Sequence, residues 1–213
     1  TPWYRPTRIN FVASGADYGW RSGSGKWPAY YEDSLPSILD IGPGSPTGMV
    51  SGLGAKFPAK YQKAVYAFDW TYGTIHALHI NAHGAGYKAE KESFAYGEPM
   101  PLTDGIIAQD GSMYFLTGGR GTDSRLYRLS YEGSESTKAI SPKDFTLPKM
   151  HQIRRQLEAY HGIADPKAVA AAWPHLSSSD RWLRHAARVA IESQPVDQWA
   201  KKVFESNNTQ ATI

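Results

Sequence analysis

The pattern of apolar and polar positions changes once along the chain. Up to about residue 140, apolar side chains come in short runs that alternate with polar or small ones, and Gly, Pro, Asn and Asp punctuate the runs. This is the pattern of short strands joined by tight turns. It predicts strands over residues 8–12, 48–51, 64–70, 74–80, 93–96, 105–108, 113–116 and 125–131. Residues 21–46 carry Gly and Pro too often for regular structure and read as a long loop. After Pro142 the chain becomes rich in Ala, Leu and Arg, and the apolar period lengthens towards 3.6. Helices are predicted over residues 148–161, 167–173, 181–192 and 196–204. Gly162 stops the first, Asp165-Pro166 opens the second and Pro174 ends it. Ser178-Ser179-Asp180 caps the third, whose apolar positions Leu183, Ala186, Ala187, Ala190 and Ile191 share one face.

Strands this short and evenly spaced predict antiparallel meanders. Residues 105–131 read as an inner strand, an Asp-Gly turn, an aromatic strand, a second turn and a Leu-Tyr-Arg strand. Residues 48–96 fit the same plan with a longer outer hairpin. The expected fold is mainly β with an α C-terminal part, divided into residues 1–143 and 144–213.

Composition narrows the function classes. The chain has 213 residues, 41% of them hydrophobic and 20% charged, as in an ordinary globular protein. A net charge of +3 with no Lys/Arg cluster does not point to nucleic acid. No run of 18 apolar residues is present to cross a membrane as a helix. Without cysteine these residues can form no disulfide, no Cys-zinc site and no covalent c-type haem attachment. The opening at Thr1 without methionine, and the polar stretch Asn207-Asn208-Thr209 after a helix, read as a piece of a longer protein.

Several motifs carry a family resemblance. Ser14-Gly15-Ala16-Asp17-Tyr18-Gly19-Trp20 and Asp110-Gly111-Ser112-Met113-Tyr114-Phe115 look like pieces of β-propeller blades. The first resembles the Asn/Asp-Tyr-Gly-Trp turn of the glucose/sorbosone dehydrogenase family, six-bladed propellers of which many carry the quinone PQQ. The order of residues 1–8, 23–31, 42–48 and 101–104, followed by helices, is similar to planctomycete and verrucomicrobial proteins. In those, such a propeller precedes HEAT-like helices and a haem-binding cytochrome c segment. The string Ser179-Asp180-Arg181-Trp182-Leu183-Arg184-His185-Ala186-Ala187-Arg188-Val189-Ala190 resembles the second helix of a HEAT-type repeat. The resemblance implies an incomplete propeller of about two blades followed by HEAT-like helical hairpins. Two blades cannot close a ring, so bare flanks and self-association are expected.

The same resemblance implies an extracytoplasmic or periplasmic parent protein. Such a parent would oxidise a sugar alcohol or aldose with PQQ and calcium, and pass electrons to a haem domain. The family's cofactor-pairing arginines, however, fall at Pro101 and Thr103, and neither can replace a planar guanidinium. The catalytic histidine comes from an early blade that this chain lacks. The residues therefore also fit a non-catalytic scaffold that binds glycan or protein, and this chain alone is expected to be inactive.

Candidate contacts follow from residue type. Asp17, Tyr18 and Trp20 read either as a tight turn packed between blades or as a cleft wall stacking on a sugar or quinone. Trp27, Tyr30 and Tyr31, beside Glu32 and Asp33, offer aromatic faces and carboxylates suited to a carbohydrate, or simply pack over a blade edge. Thr103 and Asp104 open an inner strand, where they face a cofactor or cap a turn. Arg120, in Gly118-Gly119-Arg120-Gly121, is a candidate anion contact or part of a flexible turn. His76, His79 and His83 do not make a metal site, because positions 76 and 79 of a strand point to opposite faces. Gly23-Ser24-Gly25-Lys26 fails as a phosphate loop, because Trp20 and Trp27 stand where Gly and Ser/Thr are required.

Overall fold

The computed structural model describes residues 7–18, 31 and 34–212. Three antiparallel sheets precede a set of helices. A two-stranded ribbon pairs β1 (Thr7–Ile9) with β2 (Leu39–Gly42). A four-stranded meander follows, in the order β3 (Pro46–Ser51), β4 (Val65–Asp69), β5 (Thr74–His83) and β6 (Gly86–Tyr96). Between β3 and β4 lies the short helix α1 (Ala59–Gln62). A three-stranded meander consists of β7 (Leu102–Ile107), β8 (Met113–Gly119) and β9 (Thr122–Leu129). The helices are α2 (Lys149–Glu158), α3 (Ala168–Ala172), α4 (Arg181–Glu192), α5 (Ala200–Glu205) and α6 (Thr209–Thr212).

Strand β4 is buried on both faces, and its alternation explains the layering. Tyr66 and Phe68 point to one side, where Ile75 and Ala77 of β5 join them. Leu102, Met113 and Phe115 of the next sheet complete that core. Gly105 lets the two layers approach, since a Cβ there would overlap the Phe68 ring. The first strands of the two sheets lie side by side. The Thr47 hydroxyl of β3 reaches Leu102 O of β7 at 2.9 Å and Phe68 O at 3.2 Å, and a Cβ at Gly48 would overlap the Asp104 carboxylate. Asp69 closes the end of β4: its Oδ1 accepts from Ser45 N at 3.0 Å and Thr71 N at 2.8 Å.

Ala67 and Leu78 point to the other side of the meander. There they meet Ile9 and Ile41 of the ribbon and Leu157, Trp182, Leu183 and Ile191 of the helices. One bare flank expected for the pair of sheets is thus occupied. The amphipathic stripe of α4 needs an apolar surface, and the back of the meander supplies it. The opposite flank, carrying Ile106, Leu116 and Leu126, is exposed among the described residues.

The helices grip the tip of the β5–β6 hairpin through specific polar contacts. Asp180 caps α4, its Oδ1 accepting from Leu183 N at 3.0 Å, while its Oδ2 accepts from Ala85 N at 2.8 Å. His151 Nε2 donates to Gly86 O at 2.8 Å and Arg154 Nε to Ala85 O at 2.7 Å. Gly86 lies against the Trp182 indole, which a Cβ would overlap. Phe11, Tyr87 and Trp182 form an aromatic junction, with ring centroids 4.9 Å and 5.4 Å from Phe11, and the Arg154 guanidinium stands 4.6 Å over Phe11.

Two expectations need correction. Residues 39–42, inside the segment read as loop, form β2, because burying Ile38 and Ile41 holds this short piece against β1. Strand β6 begins at Gly86, seven residues before the predicted start at 93. Its first half places Tyr87 and Ala89 inward between exposed charged residues, so the apolar signal there is faint.

Candidate functional site

Antiparallel pairing brings the end of β4, the start of β5, the end of β6, the start of β7 and the β8–β9 turn to one end of the two meanders. The loops there, residues 70–73, 97–101 and 120–121, are short, and Pro99 and Pro101 stiffen the middle one. They enclose a cleft of about 510 Å³ lined by Trp70, Thr71, Tyr72, Tyr96, Glu98 and Thr122, among others. A second cleft of about 360 Å³ shares Pro99, Pro101 and Thr122 with it and extends to Asp123, Arg125 and Tyr127. Together they form one groove along the boundary between the sheets.

The groove's walls are built by the local sequence. Trp70 ends β4 and is fixed by its indole N–H, which donates to Gly118 O at 2.9 Å. Arg120 sits at the β8–β9 turn with φ of 50°, the left-handed region, and its guanidinium lies 5.4 Å from the Trp70 ring centroid. Gly118, Gly119 and Gly121 around it supply the remaining positive φ values of 150°, 94° and 80°. Tyr72 and Tyr96 stand 59% and 82% exposed over the cleft. Asp123 and Arg125 pair at 3.4 Å.

Of the described residues expected from sequence, Arg120 borders the groove and the others fall elsewhere. Thr103 donates its hydroxyl to Leu116 O at 3.1 Å, and Asp104 Oδ1 accepts from Gly105 N at 2.8 Å beside Gly48. Both are tied into the sheet. Arg120 lies at the same end of that sheet, exposed, with its guanidinium over the Trp70 ring at the groove wall. Tyr18 packs beside the helical core, with its hydroxyl accepting from Ala13 N at 2.9 Å and donating to Phe11 O. Burial raises the pKa of that phenol. Asp17 bridges to Ser34 through the backbone. Tyr31 is partly exposed, and its carbonyl accepts from Arg181. Trp20, Trp27 and Tyr30 lie outside the described residues. Asp17, Tyr18 and Tyr31 do not line the groove.

The groove residues Trp70, Tyr72 and Tyr96 were visible in the sequence as aromatics flanking the Gly73 turn and ending a strand. Trp70 and Tyr96 end predicted strands and Tyr72 falls in the turn between two, and nothing local joins the three.

His76 and His79 project from opposite faces of β5. His76 faces the helical side with Ala67, where burial lowers its pKa. His79 Nε2 instead meets Glu92 Oε2 at 2.9 Å. Lys60 Nζ reaches the same oxygen at 2.6 Å, and Tyr61 OH donates to Glu92 Oε1 at 2.9 Å. Hydrogen bonds from Lys60, His79 and Tyr61, in that order, pull the Glu92 pKa down to about 2. This polar cluster fastens α1 to the meander. Among the described residues, no group of three His, Cys, Asp or Glu side chains is placed to hold a metal ion.

A PQQ carboxylate needs guanidinium or ammonium partners. The inner-strand positions instead carry Pro101, whose carbonyl accepts from Gly118 N at 2.9 Å, then Thr103, already bonded, and the anionic Asp104. These three positions therefore do not fit that cofactor.

No protein-family model matches the chain, and no curated protein does. Solved structures do match. An oxidoreductase of Thermus thermophilus described as a glucose dehydrogenase is 15% identical over 60% of this chain and 37% of that one, with a TM-score of 0.46. A second glucose dehydrogenase structure is 18% identical over 56% of this chain and 34% of the other, with a TM-score of 0.42. The chain thus spans little more than a third of the length of the proteins it is similar to.

Proposed function

We propose that this chain is a non-catalytic portion of a sugar-dehydrogenase-like propeller protein, supplying two neighbouring blades, a helical buttress and a ligand-presenting rim. Supporting the blade reading are the two up-and-down meanders, packed face to face with their first strands adjacent. Supporting the non-catalytic reading is one observation above the others. The inner-strand position carries Thr103, whose hydroxyl donates to Leu116 O, and the anionic Asp104, one of whose oxygens accepts from Gly105 N, where a quinone site would need cations. The helices, which sequence likens to HEAT hairpins, pack α2 and α3 onto α4 and hold the outer face of the first blade.

A second reading concerns the longer protein. The Asp17-Tyr18-Gly19-Trp20 resemblance favours a parent that oxidises a sugar alcohol or aldose outside the cytoplasm, with a haem domain as electron acceptor. The residues responsible would then lie outside this chain.

One experiment separates the readings. The chain and its full-length parent are each mixed with PQQ and calcium, and dye reduction is followed with glucose, sorbose and sorbitol. The chain alone should reduce no dye and retain no quinone absorbance after desalting. Turnover by the chain would overturn the non-catalytic assignment. An inactive parent would remove the dehydrogenase reading of the whole.

A further inference from the structure

We propose that the groove between the two meanders is a binding site for a neutral oligosaccharide. The inference gives a ligand class to the rim described above and rests on the non-catalytic reading only for the rim's purpose. The contiguous clefts of about 510 and 360 Å³ lie in the size range of ordinary ligand sites, roughly 300–1,000 Å³. Two adjoining clefts that share Pro99, Pro101 and Thr122 suit a chain of rings rather than a single compact ligand.

The lining chemistry selects the class. Tyr72 and Tyr96 hold large apolar faces in water, although such rings normally gain by burial. The CH faces of a pyranose ring are flat, apolar and matched to an exposed aromatic. Around the rings, Thr71, Thr74, Ser93, Glu98 and Thr122 present hydroxyl and carboxylate oxygens. Thr74 and Thr122 donate to Tyr72 O at 3.2 Å and Gly119 O at 2.6 Å, so they and Glu98 accept from sugar hydroxyls, while Thr71 and Ser93 can donate or accept.

Charge favours a neutral ligand. Among the described lining residues the charged side chains are Glu98, Asp123 and Arg125, and Arg125 is paired with Asp123 at 3.4 Å. The other nearby guanidinium, Arg120, lies over Trp70. With that charge counted, the lining carries no surplus positive charge to hold an anionic ligand such as a nucleotide, phosphorylated sugar or polyuronate. The short loops with Pro99 and Pro101 keep the walls largely preformed, which lowers the ordering cost of binding.

The test is calorimetric titration of the chain with cellohexaose, maltohexaose, xylohexaose and chitohexaose, each beside its monosaccharide, with hexagalacturonate as the anionic control. At least one neutral hexasaccharide should bind more tightly than its monosaccharide and than hexagalacturonate. The double variant Tyr72→Ala/Tyr96→Ala should weaken that binding about tenfold or more. Both side chains are exposed, so the variant should keep the wild-type melting curve. Heat-silent titrations with all four neutral sugars, tighter binding of hexagalacturonate, or binding indifferent to the double variant would each overturn the proposal. Dye reduction plays no part in this readout, so its failure and that of the redox reading are told apart.

Discussion

Asp180→Ala should destabilise the chain by about 2–4 kcal/mol, far more than an ordinary surface substitution. The size comes from two roles carried by one carboxylate. Oδ1 satisfies Leu183 N in the first turn of α4, and loss of an N-cap costs about 0.5–2 kcal/mol. Oδ2 satisfies Ala85 N at the tip of the β5–β6 hairpin, where Ala85 is fully buried. Leaving that donor without a partner costs about 1–3 kcal/mol more. Asp180→Ser separates the roles, because a serine hydroxyl caps the helix but does not reach both groups. Urea denaturation should place the midpoints in the order wild type, Asp180→Ser, Asp180→Ala, with similar slopes. An Asp180→Ser midpoint equal to the wild type would show that the hairpin contact contributes nothing, and equal midpoints for the two variants would show the same of the cap.

Phe68→Ala carries the largest expected effect, a loss of about 3–5 kcal/mol. Phe68 is fully buried on β4 and points between the two meanders, its ring against Gly105 of β7. Its removal leaves a cavity that Leu102, Met113 and Phe115 cannot fill without moving the second sheet. Gly105→Ala should also destabilise, because its Cβ would overlap that ring. In the double variant the cavity accepts the new methyl group, so the two effects should fall short of additivity. Strict additivity in thermal or urea unfolding would place the two residues apart.

Individual elements were legible in the sequence, because their signals are local. Asp110-Gly111 forms the turn it advertised: Asp110 Oδ1 accepts from Ser112 N at 2.9 Å, and Gly111 takes φ of 82°. Asp180 caps α4 where the polar run before the apolar stripe placed it. The stripe on α4 foretold a buried face but not its partner, since the back of a β meander and another helix present the same apolar surface to a periodicity argument. The helices' attachment to the hairpin tip therefore needed the structure. So did β2, whose four residues are too few to show a period.

The groove was hidden for a related reason. Trp70, Tyr96, Glu98 and Arg125 come from separate loops and strand ends, and only antiparallel pairing brings them together. The sequence placed sugar-facing groups at Asp17, Tyr18 and Trp20, where a family-like turn attracts attention, and at Trp27, Tyr30 and Tyr31, where loop composition does. Tyr18 shows the weakness of that heuristic: its hydroxyl and ring are both used for packing. Inner-strand position drew the same attention to Thr103 and Asp104, where the threonine hydroxyl and one aspartate oxygen bond to the sheet's backbone.

Groove and buttress alike depend on the four-stranded meander lying between the second sheet on one face and the helices on the other. A NOESY spectrum of the isotope-labelled chain tests that layering in one measurement. Cross-peaks should connect the Phe68 ring to the Gly105 Hα protons and the Trp182 indole N–H to the Gly86 Hα protons. A well-resolved spectrum of the folded chain lacking either connection would contradict the arrangement, and with it the groove at the sheet boundary.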